Sequence, residues 1–266
     1  MDWIAILIAA GVLLALGAVF GIILSLADKK FFVPTDERVQ AVRGCLGGAN
    51  CGACGFAGCD AFAESVVEGK AKINGCPPGG NEAAQAIGAI MGIEAEQGEK
   101  KTAMVMCRGT CDRAKMRYDY DEYASCSLAA SLAGGPKMCR FSCVGFGDCV
   151  KVCAFDAITV VDGLAVIDHD KCTACGQCVG VCPRNIIQLV PDVPECAVVL
   201  CRNEDFGKAA KASCDHACFA CGKCTKVCPS NASILQNGIA VIDYEKCERC
   251  GKCVDACPCH CIQLMG

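Results

Sequence analysis

Aromatic side chains are scarce in this chain. They make up 6% of 266 residues, with one tryptophan, and there are only three histidines. A chain of this length with so few rings fills its interior with something else. Basic charge is not in excess either: 25 Lys and Arg face 29 Asp and Glu, for a formal charge of −4. Phosphate backbones require a basic face, so a nucleic-acid partner is not expected. There is no strand–G-x-G-x-x-G–helix signature, and Gly145-x-Gly147 stands alone. Nicotinamide binding by this chain is therefore not expected. Paired carboxylates, a nucleophile triad and a flavin-attachment motif are all missing, so no catalytic residue is assigned. A long apolar run occurs once, from Trp3 to Ala27, and carries no charge.

What is abundant is cysteine, 29 residues in all. Such density marks either a secreted disulfide scaffold or a metal-loaded protein. Disulfide frameworks belong to short secreted chains. Here the chain is long and most thiols lie two or three residues from another, a spacing that suits convergence on a metal.

Eight of the thiols repeat at a fixed offset of 75 residues. Cys139, Cys143, Cys149, Cys153, Cys172, Cys175, Cys178 and Cys182 reappear as Cys214, Cys218, Cys224, Cys228, Cys247, Cys250, Cys253 and Cys257. Gly163 and Gly238, Asp168 and Asp243, and Lys171 and Lys246 keep the same offset. The second copy contains C-x2-C-x2-C-x3-C-P twice, the run that holds paired [4Fe-4S] clusters. In that pattern the fourth Cys of each run ligates the other cluster. Cys218, Cys221, Cys224 and Cys257 are then one ligand set, and Cys228, Cys247, Cys250 and Cys253 the other. Four-cysteine zinc sites share C-x2-C pairs but not the third and fourth thiols of the run.

The first copy departs from this pattern. Its second run is intact, but Phe146 stands where the duplicate has Cys221, and Ala154 where it has Pro229. Cys139, three residues before Cys143, is the natural substitute. The expected sets are Cys139, Cys143, Cys149 and Cys182, and Cys153, Cys172, Cys175 and Cys178. Cys214, the counterpart of Cys139, is then spare.

Upstream, Cys51-x2-Cys54-x4-Cys59-x16-Cys76 forms a separate four-thiol set, with Gly52, Gly55 and Gly58 allowing tight folding around a cluster. A zinc knuckle is the competing reading. Cys107, Cys111 and Cys126 form a candidate sixth site without an evident fourth thiol; Cys139, Cys201 or Cys214 could supply it. Burial as free thiols is the alternative. Cys45, Cys196, Cys259 and Cys261 have no set of their own, and His260 reads as a surface histidine. Five [4Fe-4S] clusters are expected, and six if that site is filled. Each four-thiolate cluster carries roughly −2 when oxidised, so five add about −10 to an already acidic chain.

The expected organisation is α+β. Residues 1–28 form a transmembrane anchor, since about 25 helical residues span roughly 37 Å, enough for a ~30 Å hydrocarbon core. Lys29 and Lys30 follow the run while Asp2 precedes it, so the positive-inside rule places the rest of the chain in the cytoplasm. A cleaved signal peptide is the rival, but there is no basic leader and the run is too long. Gly17 and Gly21 form a small-xxx-small pair suited to a neighbouring membrane helix.

Residues 29–100 form a small helical 4Fe-4S domain. A helix is expected from a Thr35 cap to about Val42, another from Glu82 to about Glu96, and a polar linker from Gln97 to Thr102. Residues 101–192 and 193–266 are two tandem ferredoxin-like units, each with two cluster sites. Asp162-Gly163 and Asn237-Gly238 mark a hairpin in each. The run Tyr118 to Tyr123 reads as a solvated segment.

The block Asn50-Cys-Gly-Ala-Cys-Gly-Phe-Ala-Gly-Cys59 with Cys76-Pro-Pro-Gly-Gly, a single N-terminal membrane helix and the ferredoxin repeats together resemble the B subunits of Rnf complexes, over essentially the whole chain. The resemblance implies a membrane-bound ion-translocating ferredoxin:NAD+ oxidoreductase. This chain would take electrons from reduced ferredoxin and pass them through its clusters to the other subunits. Its partners would be ferredoxin, those subunits and membrane lipid. Ferredoxins are acidic, and Lys208, Lys211, Lys223 and Lys226 gather near one cluster as a candidate dock; ordinary surface lysines are the competing reading. Two other functions compete with electron transfer. One is an iron–sulfur reductase of a redox sensor. The other is a radical S-adenosylmethionine enzyme, from the spacing Cys214-x3-Cys218-x2-Cys221, although too few residues follow Cys221 to build the barrel such an enzyme needs.

Overall fold

A computed structural model describes residues 3–31, 36–96, 98–118 and 125–265. Asp2, Thr35, Gln97 and the part of the tyrosine-rich run from 119 onward lie outside the described residues. The first element, α1 (Trp3–Phe31), contains an 18-residue stretch, Ala10–Ala27, long and apolar enough to cross a membrane. Leu13, Leu14, Phe20 and Leu24 are exposed on it. A helix that is apolar all round with no protein packed on it suits lipid.

Three helices, α2 (Glu37–Gly44), α3 (Cys59–Val67) and α4 (Gly80–Met91), make the next unit. The cap of α2 is Asp36, whose carboxylate accepts the Arg38 amide at 2.9 Å. Val42, Phe62, Val66 and Ile87 form a small core between these helices. Phe56 meets Phe62 edge-on at 5.6 Å. The sequence pattern carries α4 to Glu96; it stops at Met91 because Gly92 adopts the left-handed conformation and donates to the Gly88 carbonyl.

The first ferredoxin-like unit runs through β1 (Lys101–Val105), α5 (Cys126–Ser131), α6 (Asp148–Lys151), β2 (Ile158–Val161), β3 (Leu164–Ile167), α7 (Gln177–Val181) and β4 (Ile187–Pro191). The segment read as a polar linker to Thr102 is in part strand: β1 pairs antiparallel with β4, with Val105 opposite Ile187. The second unit follows the same plan without α5 or a counterpart before it. Its elements are β5 (Ala197–Val199), α8 (Gly207–Ser213), α9 (Lys223–Val227), β6 (Ser233–Gln236), β7 (Ile239–Ile242), α10 (Lys252–Asp255) and β8 (Ile262–Leu264). There β5 pairs with β8, with Val199 opposite Ile262. Both expected hairpins are present, β2–β3 and β6–β7. Their turns put Asp162, Gly163, Asn237 and Gly238 at positive φ, as a two-residue hairpin requires.

Cysteines make up much of both ferredoxin cores. Cys143, Cys149 and Cys178 pack with Val105, Ile158 and Ile186 in the first unit; Cys218, Cys224 and Cys253 pack with Ile239 and Ile262 in the second. Cores this thin in rings and large aliphatics are those that need a metal to hold them.

Candidate metal centres

Each cysteine run has the same backbone signature. The residue before the second thiol of a C-x2-C pair is left-handed at Ala174, Ala220 and Arg249, and so is the residue three beyond the run's last cysteine, at Asp156, Asn185, Asn231 and His260. Left-handed non-glycine residues are uncommon. Their repetition here curls the chain into tight loops of the kind that cradle anionic groups.

Four cavities, with empty volumes of about 340, 330, 310 and 290 Å³, are each lined by four cysteines. One holds Cys153, Cys172, Cys175 and Cys178. A second holds Cys228, Cys247, Cys250 and Cys253. In both, one thiol comes from the first run of the unit and three from the second, so the chain crosses between its two halves at each.

The third cavity differs from the expected set. It is lined by Cys126, Cys143, Cys149 and Cys182, not by Cys139. The reason is α5. Ser125 caps it by accepting the Leu128 amide at 3.1 Å, and the Asp148 carboxylate accepts the Ser127 amide at 3.1 Å. The helix packs on Val144 and Phe146 and brings buried Cys126 beside Cys143 and Cys149. It supplies a thiol from outside the run where Phe146 has displaced the one inside it. Cys139 lies instead in the fourth cavity, with Cys107, Cys201 and Cys214. The grouping of Cys107, Cys111 and Cys126 is likewise not assembled. Exposed Cys111 sits against the β2–β3 turn, where a Cβ on Gly163 would lie 2.5 Å from its sulfur.

In the N-terminal unit, Cys51, Cys54 and Cys59 all neighbour Cys76 closely enough to raise its thiol, after burial itself. Asn50 accepts the Cys59 amide at 2.9 Å and fixes the loop. Cys45, at the C-cap of α2, turns to the Ala41 carbonyl.

In the second unit, Cys224 neighbours Cys218 and Cys221, and Cys218 neighbours Cys257. Cys257, Cys259 and Cys261 are mutually 3.6 Å apart and all buried. Hydrogen bonds with Cys259 and Cys261 hold Cys257 well below the usual thiol range, and a hydrogen bond with Cys261 holds Cys218 down at about 6. Cys259 and Cys261 thus form a tight, buried trio of thiols with the expected ligand Cys257. Cys196 is buried beside Cys247.

Elsewhere burial dominates. It pushes the Cys149 thiol up to about 12, and Cys143, Cys178 and Cys253 to about 11. Such thiols stay protonated at neutral pH unless a metal takes the proton's place. Four soft sulfur donors around a cavity of repeated size fit a [4Fe-4S] cluster.

Three family models match cysteine-rich segments of the chain. One described as a putative Fe-S cluster matches residues 46–78, a 4Fe-4S binding domain matches 165–188, and a 4Fe-4S dicluster domain matches 212–258. The chain is 49% identical to the B subunit of the Na(+)-translocating ferredoxin:NAD(+) oxidoreductase complex of Acetobacterium woodii, over 97% of this chain and 78% of that one. It is 40% identical to the B subunit of the ion-translocating oxidoreductase complex of Methanosarcina acetivorans, over 89% of each. It is 36% identical to the B subunit of the proton-translocating ferredoxin:NAD(+) oxidoreductase complex of Clostridium ljungdahlii, over 89% of this chain and 84% of that one. On this similarity along nearly its whole length, the chain belongs to the family of B subunits of ion-translocating oxidoreductase complexes.

Proposed function

We propose that this chain is the electron-entry component of a membrane-bound ferredoxin:NAD+ oxidoreductase that moves ions across the membrane. The observation that carries the proposal is the set of four-thiol cavities built into both ferredoxin-like units, in a chain whose relatives are named for that reaction. The ligand sets are Cys51, Cys54, Cys59 and Cys76; Cys126, Cys143, Cys149 and Cys182; Cys153, Cys172, Cys175 and Cys178; Cys218, Cys221, Cys224 and Cys257; and Cys228, Cys247, Cys250 and Cys253. When bound, such clusters supply one-electron carriers at low potential. The protein holds the thiolates and sets how far each is exposed to solvent.

Reduced ferredoxin is the donor. Lys208 and Lys211 on α8 and Lys223 and Lys226 on α9 are all exposed, with Lys211 over the Phe219 ring next to the Cys218–Cys221 loop, and offer ferredoxin a cationic dock. The anchor α1 holds the chain on the membrane, with the clusters on the cytoplasmic side by the position of Lys29 and Lys30. Rapid mixing of reduced ferredoxin with the anaerobically purified complex tests this. Reduction of the clusters on this chain should precede NADH formation. Clusters that stay oxidised while NADH appears would show that electrons enter elsewhere. The radical-enzyme reading loses its basis, because Cys214 lines a cavity with Cys107, Cys139 and Cys201 that neither Cys218 nor Cys221 lines.

A further inference from the structure

The fourth cavity lies between the two ferredoxin-like units and is built by both. Cys107 and Cys139 come from the first, Cys201 and Cys214 from the second. Two offsets relate them. Cys139 and Cys214 share the 75-residue repeat, while Cys107 and Cys201 lie 94 apart, two residues beyond the equivalent strands β1 and β5. The surrounding hydrogen bonds obey the same two offsets. The Met106 amide donates to the Ile186 carbonyl, and the Leu200 amide to the Cys261 carbonyl, each at 2.7 Å. Cys107 sulfur accepts the Gly109 amide at 3.3 Å and the Cys143 amide at 3.5 Å. Cys201 sulfur accepts the matching pair, Asn203 at 3.4 Å and Cys218 at 3.3 Å. Thus each unit presents the same two thiols, in the same local setting, to a shared centre.

A short backbone ladder holds the units together there. Lys115 donates to the Ser213 carbonyl, Asp215 to the Arg113 carbonyl and Met138 to the Lys115 carbonyl, so residues 113–115 lie between the chains leading to Cys139 and Cys214. A Cβ on Gly109 would lie 3.2 Å from the Ala114 Cβ, 3.4 Å from Cys107 sulfur and 3.8 Å from Cys214 sulfur, so this glycine packs closely on the cavity wall.

A buried cation lies behind the cavity wall at Gly109. Lys137 is 2% exposed, and its ammonium donates to the Gly109 and Gly163 carbonyls at 2.7 Å each. No carboxylate pairs with it among the described residues. A buried ammonium is costly without a counter-charge.

We propose that Cys107, Cys139, Cys201 and Cys214 hold a sixth [4Fe-4S] cluster that joins the two ferredoxin-like units, with Lys137 as its buried counter-ion. The proposal rests on the iron–sulfur reading of the other five sites. The amides of Cys143 and Cys218, each an expected ligand of a neighbouring cluster, donate directly to its sulfurs, so this centre touches the ligand shells on both sides. It is also a covalent staple: metal–thiolate bonds add to the apolar contact between the units, where Met106 and Val190 pack with Val198, Leu200 and Met265.

The test uses the full chain, purified without oxygen, with iron and zinc counted per chain and reduced clusters quantified by electron paramagnetic resonance. The wild type should carry about 24 iron atoms. Cys201→Ser, Cys214→Ser and their double variant should each lose the same single centre, about four irons at most. Cys111→Ser should lose none. About 20 irons in the wild type and in the double variant alike would overturn the sixth site while leaving the five-cluster reading intact. A zinc atom lost with Cys201→Ser would also overturn it. A wild-type protein without iron would instead refute the iron–sulfur reading as a whole. Should a serine variant fail to fold, an iron anomalous map of the wild type decides: a four-iron peak among these sulfurs supports the site, and its absence with the other five present refutes it.

Discussion

Replacing Cys126 tests whether the tertiary structure or the repeat alignment assigns the ligands of the first unit. Cys126→Ala removes one of four sulfurs from the cavity it shares with Cys143, Cys149 and Cys182. A three-thiol site either sheds its cluster or keeps a damaged one, so the loss is about one to four irons of about 24. The sharper measure is a double-mutant cycle on iron content, read by colorimetry and by spin quantitation. Ligands of one cluster are not additive, because the second removal acts on a centre already lost; ligands of separate clusters are additive. Cys126→Ala with Cys149→Ala should therefore cost no more than either alone. Cys139→Ala with Cys149→Ala should cost the sum of the two. The alignment, which puts Cys139 with Cys149, requires the opposite for the second pair. Additivity for Cys126 with Cys149, or its absence for Cys139 with Cys149, would refute the assignment drawn from α5.

Three further outcomes are expected. Burial raises the thiols of Cys149 and Cys178 to about 12 and about 11, so protons must leave before iron binds; cluster rebuilding after mild chelation should accelerate from pH 7 to pH 9 in absorbance time courses, and a flat profile would count against protonated buried thiols. Reversing charge at Lys208 and Lys226 should slow ferredoxin reduction of the complex several-fold at low salt and little at high salt, in stopped-flow traces; equal rates at low salt would dismiss the dock. Phe62 is 1% exposed in the N-terminal core, so Phe62→Ala should destabilise that domain by about 3–5 kcal/mol, seen as earlier loss of its cluster signal in urea.

Much of this protein is legible from local spacing. A C-x2-C-x2-C-x3-C run places three sulfurs within one tight loop whatever surrounds it, and the 75-residue register exposes the duplication. Asp162-Gly163 and Asn237-Gly238 dictate hairpins because few other residues accept positive φ at both central positions. An uncharged run as long as Trp3 to Ala27 has few places to go but lipid. A fainter signal becomes visible only beside the structure: Met104-Val-Met-Cys107-Arg and Val198-Val-Leu-Cys201-Arg are the same strand end at an offset of 94. The first unit carries extra chain, including α5, between its strand and its cysteine run, and this breaks the 75-residue register.

Only the tertiary structure decided where Cys126 and Cys139 go. Cys139 is three residues from Cys143, yet the ladder through residues 113–115 directs it to Cys214, while α5 brings Cys126 to the place where Phe146 replaces a thiol. Thiols that share a loop are settled by sequence alone, since a few backbone angles determine their separation. Thiols outside the repeated runs, such as Cys107, Cys126, Cys139 and Cys201, depend on strand pairing and helix packing, which no spacing encodes.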